Sequence, residues 1–267
     1  EIERNVRKAR REHTARRAPG QIALEHMAVQ HAAAMVVEKG TPIAAELLQA
    51  IEATGARPSL AFNVGSLVRQ PDAYRDALAS ATDVLTRAGV DIHELDIGGG
   101  YPARYGGIDV EQVDAYFQAI RDARAALPIR EDVPILGEPG RALVADSIAL
   151  VTQVLLRKED QIYLNDGIYG SLYEATLSPE LVYPTRCYRG KGELMEGPTA
   201  AFRLYGPTCD SLDAIPHPYT LPQDIAVGDW IEFGMAGAYT LTNRTGFNGF
   251  YPERMVAIDA ADVLRTP

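Results

Sequence analysis

The sequence predicts an α/β part followed by an all-β domain, and two observations support that division. Up to about residue 146, helix-like stretches alternate three times with short apolar stretches, a pattern typical of parallel strands joined by crossover helices. From residue 147 onward, short apolar stretches follow one another directly, with Gly and Pro turns between them, as in antiparallel sheets. We therefore expect a helical arm at 1–38, an α/β part at 39–146 and an antiparallel β domain at 147–267.

The predicted helices and strands of the first two parts are bounded by ordinary start and stop residues. Residues 1–38 are rich in helix-forming residue types. The next helix has Thr41 and Pro42 at its start and Gly55 after its end, which is the usual preference at helix termini. Further along, the pattern predicts strands at 60–64, 94–97 and 133–137, with helices at 73–88 and around 113–120 between them.

The β domain is predicted from apolar stretches rich in β-branched, aromatic and leucine residues. The first of these stretches is long and nearly continuous, as expected for a buried strand. The others are shorter and are separated by Gly and Pro turns. The expected strands lie at 147–156, 161–164, 182–188, 201–205 and 229–233.

Length and composition are those of an ordinary globular protein. The chain has 267 residues, and its net charge of −10 argues against a general nucleic-acid-binding protein. No apolar run approaches membrane-spanning length, so we expect no membrane partner. Cys187 and Cys209 form neither a CxxC motif nor a disulfide framework, which favours a cytoplasmic location. His26 and His31 lie five residues apart, which does not put two ligands on one helix face, so we expect no metal site there.

A glycine-rich stretch from Glu94 to Gly107 is the strongest local signal for ligand binding. A short apolar strand runs directly into Gly98, Gly99 and Gly100, and successive amides without side chains can converge on an anion such as phosphate. The same residues also fit the loose dinucleotide fingerprint G-x-G-x-x-A, which needs a helix opening at once. A glycine turn without any ligand is the third interpretation.

Six blocks of residues follow predicted strands in a characteristic order. They are Phe62–Ser66, Leu95–Gly100, Gly137–Arg141, Asn165–Ser171, Gly206–Asp213 and Gly237–Thr240, with Phe247–Phe250 behind them. Together these blocks resemble the pyridoxal-phosphate-dependent decarboxylases of the alanine-racemase fold, and among them the ornithine/lysine decarboxylase group. The resemblance covers about residues 40–256 and implies a (β/α)8 barrel of which only about the last three units are present, followed by the β domain.

The resemblance assigns one set of residues to the cofactor, pyridoxal 5′-phosphate. Glu138 would lie by the pyridine nitrogen and keep it protonated, and Asn63 stands where relatives place a His that stacks on the ring. A surface ion pair between Glu138 and Arg141 is the alternative interpretation of that block. The phosphate would be held by donors alone, as a dianion requires, and they are Ser66, the amides of Gly98, Gly99 and Gly100, Arg141 and Tyr239.

A second set of residues would face the substrate. Cys209 and Asp210 resemble the residues that the partner subunit contributes to each active site of a homodimer. The Cys209 thiol could return a proton to the reacting carbon, and Asp210 with Asp166 would bind the distal ammonium of a basic amino acid or diamine. Cysteine is often simply packed in a core, which is the alternative for Cys209.

The resemblance fails at one essential residue. The family forms its Schiff base through a lysine in a segment like Pro-x-x-Ala-Val-Lys, and none of the four lysines here, Lys8, Lys39, Lys158 and Lys191, has that context. A three-strand remnant of the barrel would also leave an open edge. We expect that edge to be covered by the arm at 1–38, by a second copy, or by an N-terminal barrel fragment.

Three functions follow from these observations. In the first case, the chain is the C-terminal part of a working decarboxylase whose lysine lies on another piece. Alternatively, it is a truncated, non-catalytic homologue that binds or regulates a full-length decarboxylase, as antizyme inhibitors resemble decarboxylases. In the third case it binds pyridoxal phosphate or another phosphate ligand noncovalently and has altered chemistry.

Overall fold

The computed structural model describes residues 34–37, 48–49, 52–55, 57–259 and 264. Its first sheet has four parallel strands in sequential order, one more than the three predicted. The three predicted strands are present but shorter than expected. The strands are β1 (Ala34–Val37), β2 (Ser59–Phe62), β3 (Leu95–Asp96) and β4 (Ile135–Leu136).

The additional strand lies inside the predicted helical arm, so the helix prediction is wrong for Ala34–Val37. This segment pairs with β2 in parallel, and valine, the residue type at two of its four positions, is β-branched and favours strands over helices. A pairing with a distant strand outweighs the helix propensity of the neighbouring alanines. The remainder of the arm, 1–33 and residue 38, lies outside the described residues.

Two helices follow strands β2 and β3 and cover one face of the parallel sheet. Helix α1 is Asp72–Ala88 and ends at Gly89, which has a φ of 63° and donates its backbone N–H to the Leu85 carbonyl, forming a left-handed cap. Helix α2 is Val113–Arg124. Their apolar faces pack with the strands in one core, to which Leu60, Tyr74, Leu78, Leu95 and Tyr116 contribute fully buried side chains.

The second sheet has seven strands, which are β5 (Leu150–Lys158), β6 (Gln161–Leu164), β7 (Thr185–Arg189), β8 (Glu193–Leu194), β9 (Thr199–Tyr205), β10 (Tyr219–Pro222) and β11 (Trp230–Phe233). Their order across the sheet is β10-β9-β6-β5-β11-β7-β8. All its pairings are antiparallel, as predicted, except the pairing of β6 with β9, which is parallel. The five predicted strands are present, β6 with the predicted bounds and the other four with shifted ends, whereas β8 and β10 were not predicted.

Two short helices lie beside the candidate site, and the first of them leads from the parallel sheet to the second sheet. Helix α3 (Gly140–Val144) follows β4, and helix α4 (Glu174–Leu177) follows β6. A backbone bridge between Gly106 and Val182 also joins the loop after β3 to the second sheet. The carboxyl ends of the parallel strands therefore face the second sheet, and ligands of open parallel sheets bind at such ends. Among the described helices, none is long and apolar enough to cross a bilayer.

Candidate functional site

The three glycines after β3 bring three chain segments into close contact. A Cβ at Gly98 would lie 2.3 Å from the Phe62 carbonyl oxygen, and one at Gly100 would lie 2.3 Å from that of Gly65. Gly98 and Gly100 also have φ values of +68° and +104°, which L-residues with a side chain rarely adopt. At Gly99 a Cβ would lie 2.8 Å from the Glu138 carbonyl oxygen. No larger residue fits this loop, which we call the glycine cradle (Gly98–Gly100).

The carbonyl oxygens of the glycine cradle are all tied back into the protein. Gly98 accepts from the Glu138 amide at 2.9 Å, and Gly100 accepts from the Val68 amide at 2.9 Å. Gly99 accepts from the Tyr74 hydroxyl at 2.8 Å. Because the carbonyl oxygens are satisfied on the protein side, the amides of the loop can face a ligand.

Contrary to the prediction, the three backbone amides of the glycine cradle are not all free to face a ligand. The Gly98 amide donates to Asp96 Oδ1 at 2.9 Å, so the expectation that all three amides hold a phosphate is wrong for Gly98. The amides of Gly99 and Gly100 have no hydrogen-bond partner among the described residues. That these two amides hold the cofactor phosphate stays a prediction. The dinucleotide interpretation fails as well, because the next helix, α2, begins only at Val113.

Arg141 is the charged centre of the site and is 4 % exposed. Its guanidinium donates to Ser66 Oγ at 3.0 Å and to the Tyr105 hydroxyl at 3.2 Å. It also lies 4.9 Å from the centre of the Tyr239 ring, in a cation–π arrangement. The structure thus brings together Ser66, Arg141 and Tyr239, three residues separated by up to 173 positions that the sequence had assigned to one phosphate.

The partner of Arg141 is not the one that the sequence suggested. Arg141 forms a buried ion pair with Glu174 of α4, and both side chains are at most 5 % exposed. The alternative of a surface ion pair between Glu138 and Arg141 is therefore wrong. Burial alone lowers the pKa of Arg141, but the Glu174 carboxylate and the Tyr105 hydroxyl raise it overall, so the guanidinium stays charged.

Glu138 and Asn63 lie on the loops around the glycine cradle. The Asp96 carboxylate raises the pKa of Glu138 by charge repulsion, and partial burial adds to that rise. Asn63 Oδ1 accepts the Gly65 amide at 2.8 Å, so its side chain shapes the loop that carries Ser66. Whether these two side chains meet the cofactor ring stays a prediction.

A second cluster of predicted residues lies on the loops of the β domain. Asn248 donates to Cys209 Sγ at 3.3 Å, and Tyr169 donates to the Asp210 carboxylate. The Tyr169 and Phe247 rings are 4.6 Å apart. The hydrogen bond from Tyr169, with a smaller contribution from the Leu212 amide, lowers the pKa of Asp210, so this carboxylate is charged at neutral pH.

Asp166 does not join that cluster as an accessible carboxylate. It is 6 % exposed, and its Oδ1 accepts the Gly167 amide at 2.8 Å and the Ser171 amide at 3.0 Å. Burial raises its pKa, although the hydrogen bonds from Ser171 and Gly167 oppose that rise. Asp166 shapes the 166–171 turn. The prediction that it binds an ammonium finds no support in this geometry.

The two clusters are separate within the described part of the chain. There, no hydrogen bond, ion pair or ring contact joins Cys209 or Asp210 to Arg141. Lys158 lies over the Tyr163 ring in the second sheet, and Lys191 lies in the exposed turn between β7 and β8. Neither lysine reaches the glycine cradle, and Lys8 and Lys39 fall outside the described residues. No group of metal-ligating side chains occurs among the described residues.

Sequence reasoning missed five residues that shape the site. Tyr105 and Asp96 stand within or next to the quoted glycine-rich stretch, but nothing local shows where their side chains point. Tyr74 and Tyr116 fit the apolar faces of α1 and α2, so periodicity places them in the core without revealing their hydroxyl partners. Tyr116, for example, donates to the Val68 carbonyl at 2.8 Å. Glu174 belongs to none of the six blocks, so no motif pointed to it.

Comparison with known proteins relates the chain to pyridoxal-dependent decarboxylases. The family described as "Pyridoxal-dependent decarboxylase, C-terminal sheet domain" matches residues 33–237. Ornithine decarboxylase of Schizosaccharomyces pombe is 33 % identical over 223 residues, which cover 77 % of this chain and 48 % of that protein. Antizyme inhibitor 2 of Xenopus laevis is 32 % identical over 219 residues, covering 72 % and 45 %.

Solved structures agree with the sequence relatives. The lysine/ornithine decarboxylase of Vibrio vulnificus complexed with putrescine aligns with a TM-score of 0.67 and 31 % identity, covering 80 % of this chain and 58 % of that one. The chain spans about half the length of the curated relatives it matches. Because the family match covers most of the chain, the chain belongs to the pyridoxal-dependent decarboxylases and contains their C-terminal sheet domain.

Proposed function

We propose that this chain provides the phosphate-binding and substrate-facing parts of a pyridoxal-phosphate-dependent decarboxylase that acts on a basic amino acid of the ornithine/lysine type. One observation carries the proposal. Buried Arg141 holds Ser66 and contacts Tyr239 at the carboxyl ends of the same parallel strands that present the two unpaired amides of the glycine cradle. Relatives named as ornithine and lysine/ornithine decarboxylases support the reaction type.

The residues present fit the phosphate of the cofactor. Ser66 and Tyr105 each accept a hydrogen bond from Arg141, so each hydroxyl keeps its own proton for donation to an anion. Arg141 Nε is buried without a hydrogen-bond partner among the described residues. With the amides of Gly99 and Gly100, the site contains neutral donors and one charged donor. Glu174 is the exception, because it is an acceptor next to the same arginine.

Pyridoxal phosphate, when bound, supplies an electron sink for the electron pair left when CO2 departs. Glu138 and Asp96 would favour a proton on the ring nitrogen. Their mutual repulsion, which raises the pKa of Glu138, is relieved when a cation lies between or beside them. The Gly98 peptide, bonded to Asp96 through its amide and to Glu138 through its carbonyl, keeps the two carboxylates on adjacent loops.

The second cluster would act on the substrate. Asp210, held charged by Tyr169, would bind the distal ammonium, and the exposed Cys209 thiol would hold the proton that returns to the reacting carbon. Since neither residue contacts the Arg141 cluster within the described chain, we infer that they serve the site of a second copy in a homodimer. A cytoplasmic location remains part of the proposal.

The experiment asks where the Schiff-base lysine comes from, because no described lysine reaches the glycine cradle. The purified chain is titrated with pyridoxal phosphate, alone and with an N-terminal barrel fragment of a full-length relative, while the visible absorbance is recorded before and after borohydride reduction. We expect reversible binding by the chain alone, and ornithine or lysine decarboxylation only when the added fragment supplies the lysine. Failure to bind pyridoxal phosphate even with the fragment present would contradict the proposal.

A non-catalytic partner is the second candidate, and the missing lysine context favours it. The similarity to antizyme inhibitor 2, a protein not named as a decarboxylase, adds to that case. The chain would then form a complex with a full-length decarboxylase and change its activity without contributing turnover. Co-purification with a full-length relative, followed by an activity measurement on the complex, tests this. The absence of any complex would count against it.

A further inference from the structure

A further inference rests on the contact between Arg141 and Glu174, which lie on two short helices beside the site. Arg141 lies on α3, which follows the parallel sheet, and Glu174 lies on α4, which belongs to the β domain. Their side chains are 3 % and 5 % exposed, and they form an ion pair within hydrogen-bonding distance. The positive charge of Arg141 is therefore already neutralised by Glu174 of the same chain.

The hydrogen bonds of Arg141 show what remains for a ligand. Arg141 Nη2 donates to both Ser66 and Glu174, which uses both of its N–H groups, and Nη1 donates to Tyr105. One N–H of Nη1 and the N–H of Nε remain. A phosphate that takes the Ser66 side of Arg141 must share the guanidinium with the Glu174 carboxylate or displace it.

Charge makes sharing unfavourable. A phosphate dianion next to a buried carboxylate is repelled strongly, because charges in a poorly hydrated site are weakly screened. Asp96 and Glu138 add two further carboxylates on the adjacent loops. The phosphate pocket, by which we mean the space between Arg141, Ser66 and the glycine cradle, is thus less positive than its position suggests.

We propose that Glu174 is a built-in competitor of phosphate at Arg141 and sets the affinity of the pocket for phosphate-bearing ligands. This inference rests on the proposed function, because it concerns the same phosphate pocket. Phosphate binding displaces the Glu174 carboxylate from Arg141 and so weakens a contact between α3 and α4. Glu174 is in this sense a specificity-determining residue of the pocket.

The test compares Glu174→Gln with Glu180→Gln. Glu180 pairs with Arg69 across the same pair of sheets, but both side chains are about half exposed, at 46 % and 52 %, so Glu180→Gln makes the same charge change away from the pocket. Binding of pyridoxal phosphate and of inorganic phosphate is measured by calorimetry, with pyridoxal as the phosphate-free control. Circular dichroism confirms that each variant is folded.

Glu174→Gln is expected to tighten binding of both phosphate ligands by about tenfold or more, while pyridoxal binding and the Glu180→Gln variant stay unchanged. Unchanged or weaker phosphate binding by folded Glu174→Gln would overturn the inference while leaving the phosphate pocket in place. No phosphate binding by the wild type or by either variant would overturn the pocket itself, and with it the proposed function.

Wild-type protein provides a second test that does not depend on a variant. The Ser178 amide donates to the Glu174 carbonyl and closes the single turn of α4. Saturating inorganic phosphate should speed hydrogen–deuterium exchange at residues 174–178, because Glu174 loses its hold on Arg141. Unchanged or slower exchange in that segment, under conditions in which calorimetry shows phosphate bound, would overturn the displacement of Glu174.

Discussion

The hydroxyl of Tyr74 donates a 2.8 Å hydrogen bond to the carbonyl oxygen of Gly99. A helix on the outside of the parallel sheet thus orients the central peptide of the glycine cradle. Tyr74 is fully buried, stacks on Tyr101 at 5.0 Å and meets Tyr116 edge to face. Tyr116 donates to the Val68 carbonyl, and the Val68 amide donates to the Gly100 carbonyl, so the two helices together support the glycine cradle and the segment that contacts it.

Tyr74→Phe is expected to leave the fold intact and weaken the cradle. Loss of the hydrogen bond leaves a buried carbonyl unpaired, which should lower the free energy of unfolding by about 1 kcal/mol and phosphate affinity by about fivefold. Urea unfolding and calorimetry measure the two effects. Tyr163→Phe, which removes a hydroxyl from the second sheet, is the control and should leave phosphate affinity unchanged. Equal affinities in the two variants would show that the Tyr74 hydroxyl does not orient the cradle.

Gly100→Ala is expected to damage both the cradle and the fold. The added Cβ would lie 2.3 Å from the Gly65 carbonyl oxygen at a φ of +104°, so steric overlap and backbone strain add together. The free energy of unfolding should fall by about 3 kcal/mol or more. Gly228→Ala is the matched control, because its φ is +91° but no atom lies within 4 Å of the added Cβ, and it should cost only about 1–2 kcal/mol. Similar losses in both variants would mean that strain, not close approach, fixes Gly100.

Tyr169→Phe is expected to raise the pKa of Asp210. The Tyr169 hydrogen bond is the largest cause of the lowered pKa, so its removal moves the pKa back toward that of an ordinary aspartate. A lowered pKa keeps Asp210 charged down to lower pH, and its charge is lost as the pH falls through that value. The acid limb of ammonium binding should therefore move to higher pH in the variant. An NMR titration of the Asp210 carboxyl carbon measures the shift, and an unchanged titration would exclude the Tyr169 contact in solution.

The two cysteines are expected to differ in reactivity. Burial, with a smaller contribution from Asp229, raises the pKa of the Cys187 thiol to about 12, and the thiolate is the reactive form. Cys209 is exposed. Iodoacetamide at pH 8 should alkylate Cys209 in the folded chain and both cysteines in urea, as mass spectrometry of tryptic peptides can show. Alkylation of Cys187 at a similar rate without urea would contradict the burial of β7.

The sequence by itself determined the class of the fold and named Ser66, Arg141 and Tyr239 as candidate ligands of one phosphate. Helix and strand periods of 3.6 and 2 residues are local, so the alternation up to residue 146 and the strands after it are visible without a structure. The ordered blocks carried Ser66, Arg141 and Tyr239 into one cluster, and the structure places them together.

Only the tertiary structure decided which partner each side chain has. Arg141 meets Ser66 across 75 residues and Glu174 across 33, and no local pattern encodes such a pairing. The same holds for Asp166, whose carboxylate turns inward to its own loop, and for Ala34–Val37, which form a strand because β2 offers a parallel partner. Residue type limits what a side chain can do, but packing between distant segments decides what it contacts, because burial and hydrogen bonding depend on neighbours that the chain meets only when folded.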